Sequence, residues 1–221
     1  MKILALEFSS PHRSVAVVVS GEAQGTWRQF EVVEAGNTSN KPLEMIEEVL
    51  RQANVDRAEV EAIAVGLGPG SYTGIRSAIA LAQGWQLGRD IHLTGLSSVE
   101  CLAAQAHEEE LFGKVATVID AQRGEFYLAN YDVTTDGWRE TRALRLASSG
   151  TVAECEAKGK LLVGPEVTKW FSKGRTLFPT AATLGKLAWR APAWLAGEEL
   201  APIYLRQTSF VKAPPPRILP E

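Results

Sequence analysis

VATVIDAQRGEFYLANYDV, residues 115–133, reads as two β-prone arms around a polar tip that holds Asp120, Arg123 and Gly124. Val, Ile, Thr, Phe and Tyr crowd the arms, which is the signature of a hairpin. The chain opens in the same way. KILALEF (2–8) and SVAVVVS (14–20) are apolar and β-branched, and SSPHR (9–13) lies between them. Two hairpins of one shape, each heading a half of the chain, predict an internal structural duplication, although the halves share little sequence identity.

Working outward from the hairpins, TWRQFEVV (26–33) predicts a third strand. Pro42 suits a first helical turn, and the pattern predicts a helix over 42–53. Leu43, Ile46, Leu50 and Ala53 form one stripe at the helical period, and Met45 and Val49 form a second beside it. A buried strand at 61–66, a helix over 73–88 and a short strand at 91–95 follow. Ser97 and Glu100 fit a capping box opening a helix that runs to about 107. The second half predicts strands at 138–146 and 160–163, with helices at 151–157, 165–172 and 181–196. The expected units are 1–108, 109–207 and a proline-rich tail, 208–221.

The 221 residues suffice for a sizeable core. A net charge of -3 gives the surface as a whole no attraction for phosphate backbones, while leaving room for a local basic patch. Cys101 and Cys155 share no motif spacing, which predicts free thiols. The opening residues do not resemble a signal peptide, and no apolar run is long enough to span a bilayer. The expectation is a cytoplasmic protein.

Residues 66–78, GLGPGSYTGIRSA, raise the question of a phosphate cradle. A Walker loop requires a lysine after its last glycine, and Ile75 follows Gly74. A dinucleotide fingerprint requires a glycine three residues after Gly70, where Thr73 stands. Two readings remain from local physics. The N–H groups of a helix starting near Thr73 attract anions, or the glycines merely make a tight turn with Ser71 or Thr73 capping the helix. The helix itself carries Ser77, Ala78, Ala80, Ala82 and Gly84, small enough to let another helix approach closely.

Catalytic patterns are sparse. His12, His92 and His107 form no H-x-x-x-H, and no G-x-S-x-G elbow occurs. The first hairpin tip offers Glu7, Ser9 and Ser10 to a magnesium nucleotide, and the second offers Asp120, Arg123 and Gly124. Ordinary turn roles compete at both tips.

The run AIAVGLGPGSYTGIRSAIALAQGWQLG resembles the signature of the TsaB family. KILALEFSS, LTGLSSVECLAA, VIDAQRGEFYLANY and PIYLRQ fit in the same order, so that the likeness spans about 1–207. The resemblance implies an α/β fold of the duplicated actin/Hsp70/sugar-kinase (RNase H-like) type, with a smaller, degenerate second subdomain. It implies a non-catalytic paralogue of TsaD, lacking the metal-binding histidine pair of TsaD. Such a subunit pairs with TsaD and, with the ATPase TsaE, supports threonylcarbamoyl transfer. The group moves from threonylcarbamoyl-adenylate to the adenosine 3′ of the anticodon in tRNAs reading A-starting codons.

ATP and a metal are then expected in the assembly and not in this chain alone, contact with tRNA is indirect, and the isolated chain is expected to form a homodimer. Docking through a helical bundle maps onto 42–53 and 73–88. The expected interface is Leu43, Met45, Ile46, Val49, Leu50, Ile75, Ala78, Ile79 and Ala82. Gly68, Gly70, Ser71, Thr73 and Asp120 are the candidates for a residual anion or nucleotide contact. The chain departs from the family at Glu7-Phe8-Ser9, where Asp-Thr-Ser is common, and at Thr38-Ser39, where a histidine-serine pair is common. Two rivals remain: a self-sufficient ATP-dependent transferase using Glu7, Asp120 and residues 68–74, and a glycoprotease-like hydrolase.

Overall fold

The first hairpin runs as β1 (Lys2–Glu7) and β2 (His12–Ser20), and β3 (Trp27–Ala35) extends the antiparallel meander. The computed structural model describes residues 1–21, 26–36, 41–190 and 194–205. Thr38-Ser39 and the proline-rich tail lie outside the described residues. After β3 come α1 (Pro42–Ala53), β4 (Ala62–Gly66), α2 (Tyr72–Gly88), β5 (His92–Leu96) and α3 (Ser98–Glu108). The sheet order is β3-β2-β1-β4-β5, with β4 parallel to both β1 and β5.

The second half repeats this plan. β6 (Gly113–Asp120), β7 (Glu125–Thr134) and β8 (Gly137–Ser148) form the meander, followed by α4 (Ser149–Ala157), β9 (Leu161–Gly164), β10 (Arg175–Thr176) and α5 (Ala181–Ala188). Its sheet order is β8-β7-β6-β9-β10, again with two parallel strands beyond the first strand of the meander. Two sheets of the same order and polarity make this the duplicated actin/Hsp70/sugar-kinase fold. The second copy is the degenerate one. Where the first copy carries α2, the second has only the 3-10 turn Val167–Lys169.

That turn corrects the helix expected over 165–172. Pro165 and the β-branched pair Val167-Thr168 weaken the helix, and β10, which the sequence pattern does not reveal, begins soon after. The helix expected to reach 196 ends at Ala188 because Pro192 has no N–H for the Ala188 carbonyl and its ring would crowd that carbonyl. Ser97 does precede α3, but its hydroxyl makes no cap bond, so the expected capping box does not form. α1 matches its expected span. Pro42 opens it, and Asn54 closes it in the left-handed region (φ 51°), with its N–H on the Leu50 and Arg51 carbonyls.

Alternation along the first sheet sorts its residues between two layers. Leu4, Leu6, Val15, Val17, Ile63 and Val65 face α1 and α2. Ala5, Ala16, Ala62 and Ala64 face α5. This second face is lined with alanine because a helix sits very close to it. A Cβ on Gly185 of α5 would lie 2.5 Å from Val18. α3 shares its surface between both sheets, with Cys101 and Ala104 in the α5 layer and Val99, Leu102, Ala103 and Ala106 against the second sheet. Each half thus sends its last helix between the two sheets. Both cysteines are buried and free.

Candidate functional site

The glycine loop joins β4 to α2 and lies directly on the first hairpin tip. A Cβ on Gly70 would stand 2.1 Å from the Ser9 carbonyl oxygen, and one on Gly74 would stand 2.0 Å from that of Phe8. The Ser71 N–H donates to the Ser9 carbonyl at 2.7 Å. The glycines therefore admit the chain's own backbone, which is the close approach that only glycine allows. Ser71 caps α2, its hydroxyl accepting from the Gly74 N–H at 3.2 Å while its carbonyl accepts from Ile75. Of the first-turn N–H groups, those of Tyr72 and Thr73 have no acceptor among the described residues and are left for solvent or an anion.

Beneath the loop lies Glu7, fully buried at the end of β1. Its Oε1 accepts from the Ser9 N–H at 2.7 Å and its Oε2 from the Ser98 hydroxyl at 2.8 Å. Gly66 leaves room for the carboxyl, since a Cβ there would lie 2.1 Å from Oε2. Burial pushes the Glu7 carboxyl above the ordinary range, against the opposing pull of the Ser9 and Ser98 donors. Glu7 ties β1, the tip and the start of α3 together. The folded state therefore holds this proton more tightly than the unfolded chain. The contribution of Glu7 to stability is full below the ordinary carboxyl pKa of 4.5 and is lost as pH rises through the higher folded value. In Glu7→Gln the amide oxygen can keep the Ser9 bond while its nitrogen donates to Ser98. Urea unfolding across this window should show wild-type stability falling relative to that of Glu7→Gln as pH rises. Parallel profiles would contradict the raised value.

Asp120 occupies the corresponding place in the second hairpin and makes a local turn. It accepts from the Gln122 backbone N–H at 2.7 Å, and Gln122, Arg123 and Gly124 all have positive φ. Asp120 and the 68–74 loop thus belong to the tips of different sheets. Among the described residues no three His, Cys, Asp or Glu side chains stand together as metal ligands. Between the halves, His12 stacks on Phe178 with ring centroids 3.6 Å apart, beside a cavity of about 270 Å³ that Ser14, Gln105 and Thr180 also line.

The residues expected at a partner interface need correction. Met45, Ile46, Val49, Leu50, Ile75, Ala78, Ile79 and Ala82 are all buried against the first sheet. Apart from Leu43, the two apolar stripes of α1 are absorbed by that sheet. Only Leu43, 60% exposed, is on the surface. The outer face of α1 otherwise consists of Glu44, Glu47, Arg51 and Gln52. The outer face of α2 consists of Tyr72, Thr73, Arg76, Ala80, Gly84, Leu87 and Gly88, with Leu87 91% exposed. A Cβ on Gly84 or Gly88 would meet nothing within 4 Å. At the start of this face Tyr72 stacks on Tyr204 at 5.6 Å, and the Arg76 guanidinium lies 4.3 Å from the Tyr72 ring while donating to the Tyr204 hydroxyl at 3.2 Å. Sequence reasoning missed this cluster. Arg76 and Tyr204 stand 128 residues apart, and the only signal was the PIYLRQ segment.

Comparison with known proteins is consistent with this geometry. Residues 35–208 match the family model described as TsaD, tRNA N6-adenosine threonylcarbamoyltransferase. The tRNA threonylcarbamoyladenosine biosynthesis protein TsaB of Escherichia coli is 33% identical over 147 residues, which cover 65% of this chain and 62% of that protein. The Bacillus subtilis protein of the same name is 32% identical over 95 residues, 43% of this chain and 41% of that one. The chain thus spans under two thirds of the length of these curated relatives. YeaZ from Pseudomonas aeruginosa superposes with a TM-score of 0.76 at 27% identity, covering 92% of this chain and 99% of that structure. The family model takes in well over half of the chain, and both named relatives carry the same description; the chain belongs to the TsaB family, within the wider group that the TsaD model describes.

Proposed function

We propose that this chain is a non-catalytic subunit in the threonylcarbamoylation of tRNA adenosine, and that it acts by docking a TsaD-type catalytic partner on the outer face of α1 and α2. The observation that carries this reading is the uncovered face of α2. A row of small residues, Ala80, Gly84 and Gly88, runs beside the exposed Leu87 with no part of the described chain over it. Two helices can approach closely across such a row, and an exposed leucine there gains from burial. The buried stripe, Ile75, Ala78, Ile79 and Ala82, has a different task. It locks α2 onto the sheet, so that the outer face is presented rigidly.

The loop geometry supports the non-catalytic part of the reading. Backbone of the first tip fills the space above the glycines, and the buried Glu7 is engaged in internal bonds. Any residual anion contact around Gly68, Gly70, Ser71 and Thr73 is then confined to the two free N–H groups of the first turn. In this reading TsaE, ATP and a metal belong to the assembly, tRNA is handled with the partner, and the setting is cytoplasmic. No helix among the described residues is long and apolar enough to cross a membrane. The isolated chain is expected to use the same face to form a homodimer.

The experiment is co-purification with the TsaD protein of the same organism, by size exclusion with in-line light scattering. The wild-type chain should form a heterodimer at the expense of a homodimer. Ala80→Arg places a long charged side chain on the exposed row. It should reduce heterodimer formation by at least about a hundredfold, or roughly 3 kcal/mol, with an unchanged melting temperature. A heterodimer of undiminished affinity in Ala80→Arg would remove α2 from the interface.

A further inference from the structure

On β8 the arginines fall at positions 139, 142 and 145, a spacing of three. In a regular strand this would send neighbouring arginines to opposite faces of the sheet. The pairing of β8 with β7 shifts register twice, between Leu128 and Asn130 and again between Asn130 and Tyr131, and each shift adds one residue on β8. As a result Arg145 stands opposite Leu128, Arg142 opposite Asn130 and Arg139 opposite Asp132. All three therefore share the face that Leu128 presents to α4. The rows are two residues apart on β7, or about 7 Å. Lys114, on β6, stands across from Asp132 in the same row as Arg139.

The cations of this row are poorly matched by anions. Asp132 lies 3.5 Å from Arg139 in an exposed pair, which contributes little. Glu154 of α4 is engaged with Lys158. Among the described residues neither Arg142 nor Arg145 has a carboxylate within ion-pair distance. Arg145 is half-buried and donates through Nη1 to the Leu128 carbonyl at 3.3 Å, but its Nη2 is buried with no partner. Burial and the nearby Arg142 both pull the Arg145 pKa down. An unsatisfied guanidinium beside a second cation is costly unless an anion joins them. Charge on an edge strand also deters sheet-to-sheet pairing, but that role does not require the three arginines to share one face.

We propose that this face of β8 is a contact surface for the phosphodiester backbone of an RNA, with Arg139, Arg142 and Arg145 each meeting one phosphate. The row of three at regular spacing fits a polymer of phosphates better than a single carboxylate, and guanidinium is suited to phosphate oxygens. The net charge of -3 makes such binding local to this face. The inference deepens the tRNA-modification reading above, putting a direct contact in place of the indirect one that the family resemblance implies, and it is tested on the chain alone, so that its failure is separate from a failure to bind the catalytic partner.

The probe is a fluorescently labelled, unmodified tRNA transcript titrated with the full-length chain, followed by anisotropy between about 50 and 200 mM salt. Wild type should bind with a marked salt dependence. Arg142→Ala combined with Arg145→Ala should weaken binding by about tenfold or more and flatten the slope of log K against log salt by about 2, one for each phosphate left without its arginine. Lysine at both positions should keep the slope. Arg142 is exposed, so Arg142→Ala alone should fold normally and flatten the slope by about 1. The proposal is overturned if wild type fails to bind tRNA at low salt. It is also overturned if Arg142→Ala leaves the slope unchanged, or if excess inorganic phosphate at matched ionic strength abolishes binding, which would indicate a small-anion site.

Discussion

Gly74→Ala should strongly destabilise the first half of the molecule, against the usual sign for that substitution. Alanine inside a helix ordinarily stabilises by up to about 1 kcal/mol relative to glycine. At Gly74 the added methyl would sit 2.0 Å from the Phe8 carbonyl oxygen, and that atom belongs to a tip fixed by its own bonds. Either α2 or the tip must move, breaking the bond from Ser71 to Ser9 and loosening the Glu7 cage. The expected loss is about 3 kcal/mol, or roughly 10 °C in melting temperature for a chain of this size. Gly84→Ala, in the same helix with nothing near its Cβ, is the control and should raise the melting temperature slightly. If both variants melted alike, the close approach of loop to tip would be wrong.

Ile79→Asp should unfold the protein, and so cannot serve as a test of partner docking. Ile79 is 6% exposed, within the cluster of Leu4, Leu6, Val65 and Ile75. A carboxylate there has no cation in that cluster to meet it. It would lose the transfer energy of the isoleucine and face the desolvation of a charge, or take up a proton to avoid it. Together these should cost about 4 kcal/mol or more. Far-ultraviolet circular dichroism on heating checks the outcome directly. A cooperative melt near the wild-type temperature would show that Ile79 is a surface residue after all. The contrast with Ala80→Arg, one position along the helix, separates residues that hold α2 in place from residues that face outward.

Much of the fold was legible because it rests on local regularities. Apolar alternation marked both hairpins, and the recurrence of one hairpin shape announced the duplication before any sheet order was known. Pro42 and the 3.6-residue stripes delimited α1. The expectations that failed have two causes, local breakers that outweigh an apolar pattern, as at Pro165 and Pro192, and tertiary context. Ser97 and Glu100 have the right spacing for a box, but the Ser97 hydroxyl is buried without a partner. The segment 165–172 holds only Glu166 and Lys169 as strong helix formers beside Pro165 and Val167-Thr168, and a single turn forms between β9 and β10.

By itself, the sequence determined the two-fold plan, the positions of most strands and helices, and the family, since these are written in periodicity and in ordered motifs. Only the tertiary structure decided direction. Periodicity shows that α1 and α2 each have an apolar face but not what covers it. The first sheet takes Met45, Ile46, Val49, Leu50, Ile75, Ala78, Ile79 and Ala82, leaving Ala80, Gly84 and Leu87 outward. The glycine run shows that something approaches closely without saying what, and the visitor is the backbone of Phe8 and Ser9. Three arginines at a spacing of three read as scattered charge until two bulges turn them to one face. In each case the deciding contact joins residues far apart in the chain, and a local pattern carries no information about that distance.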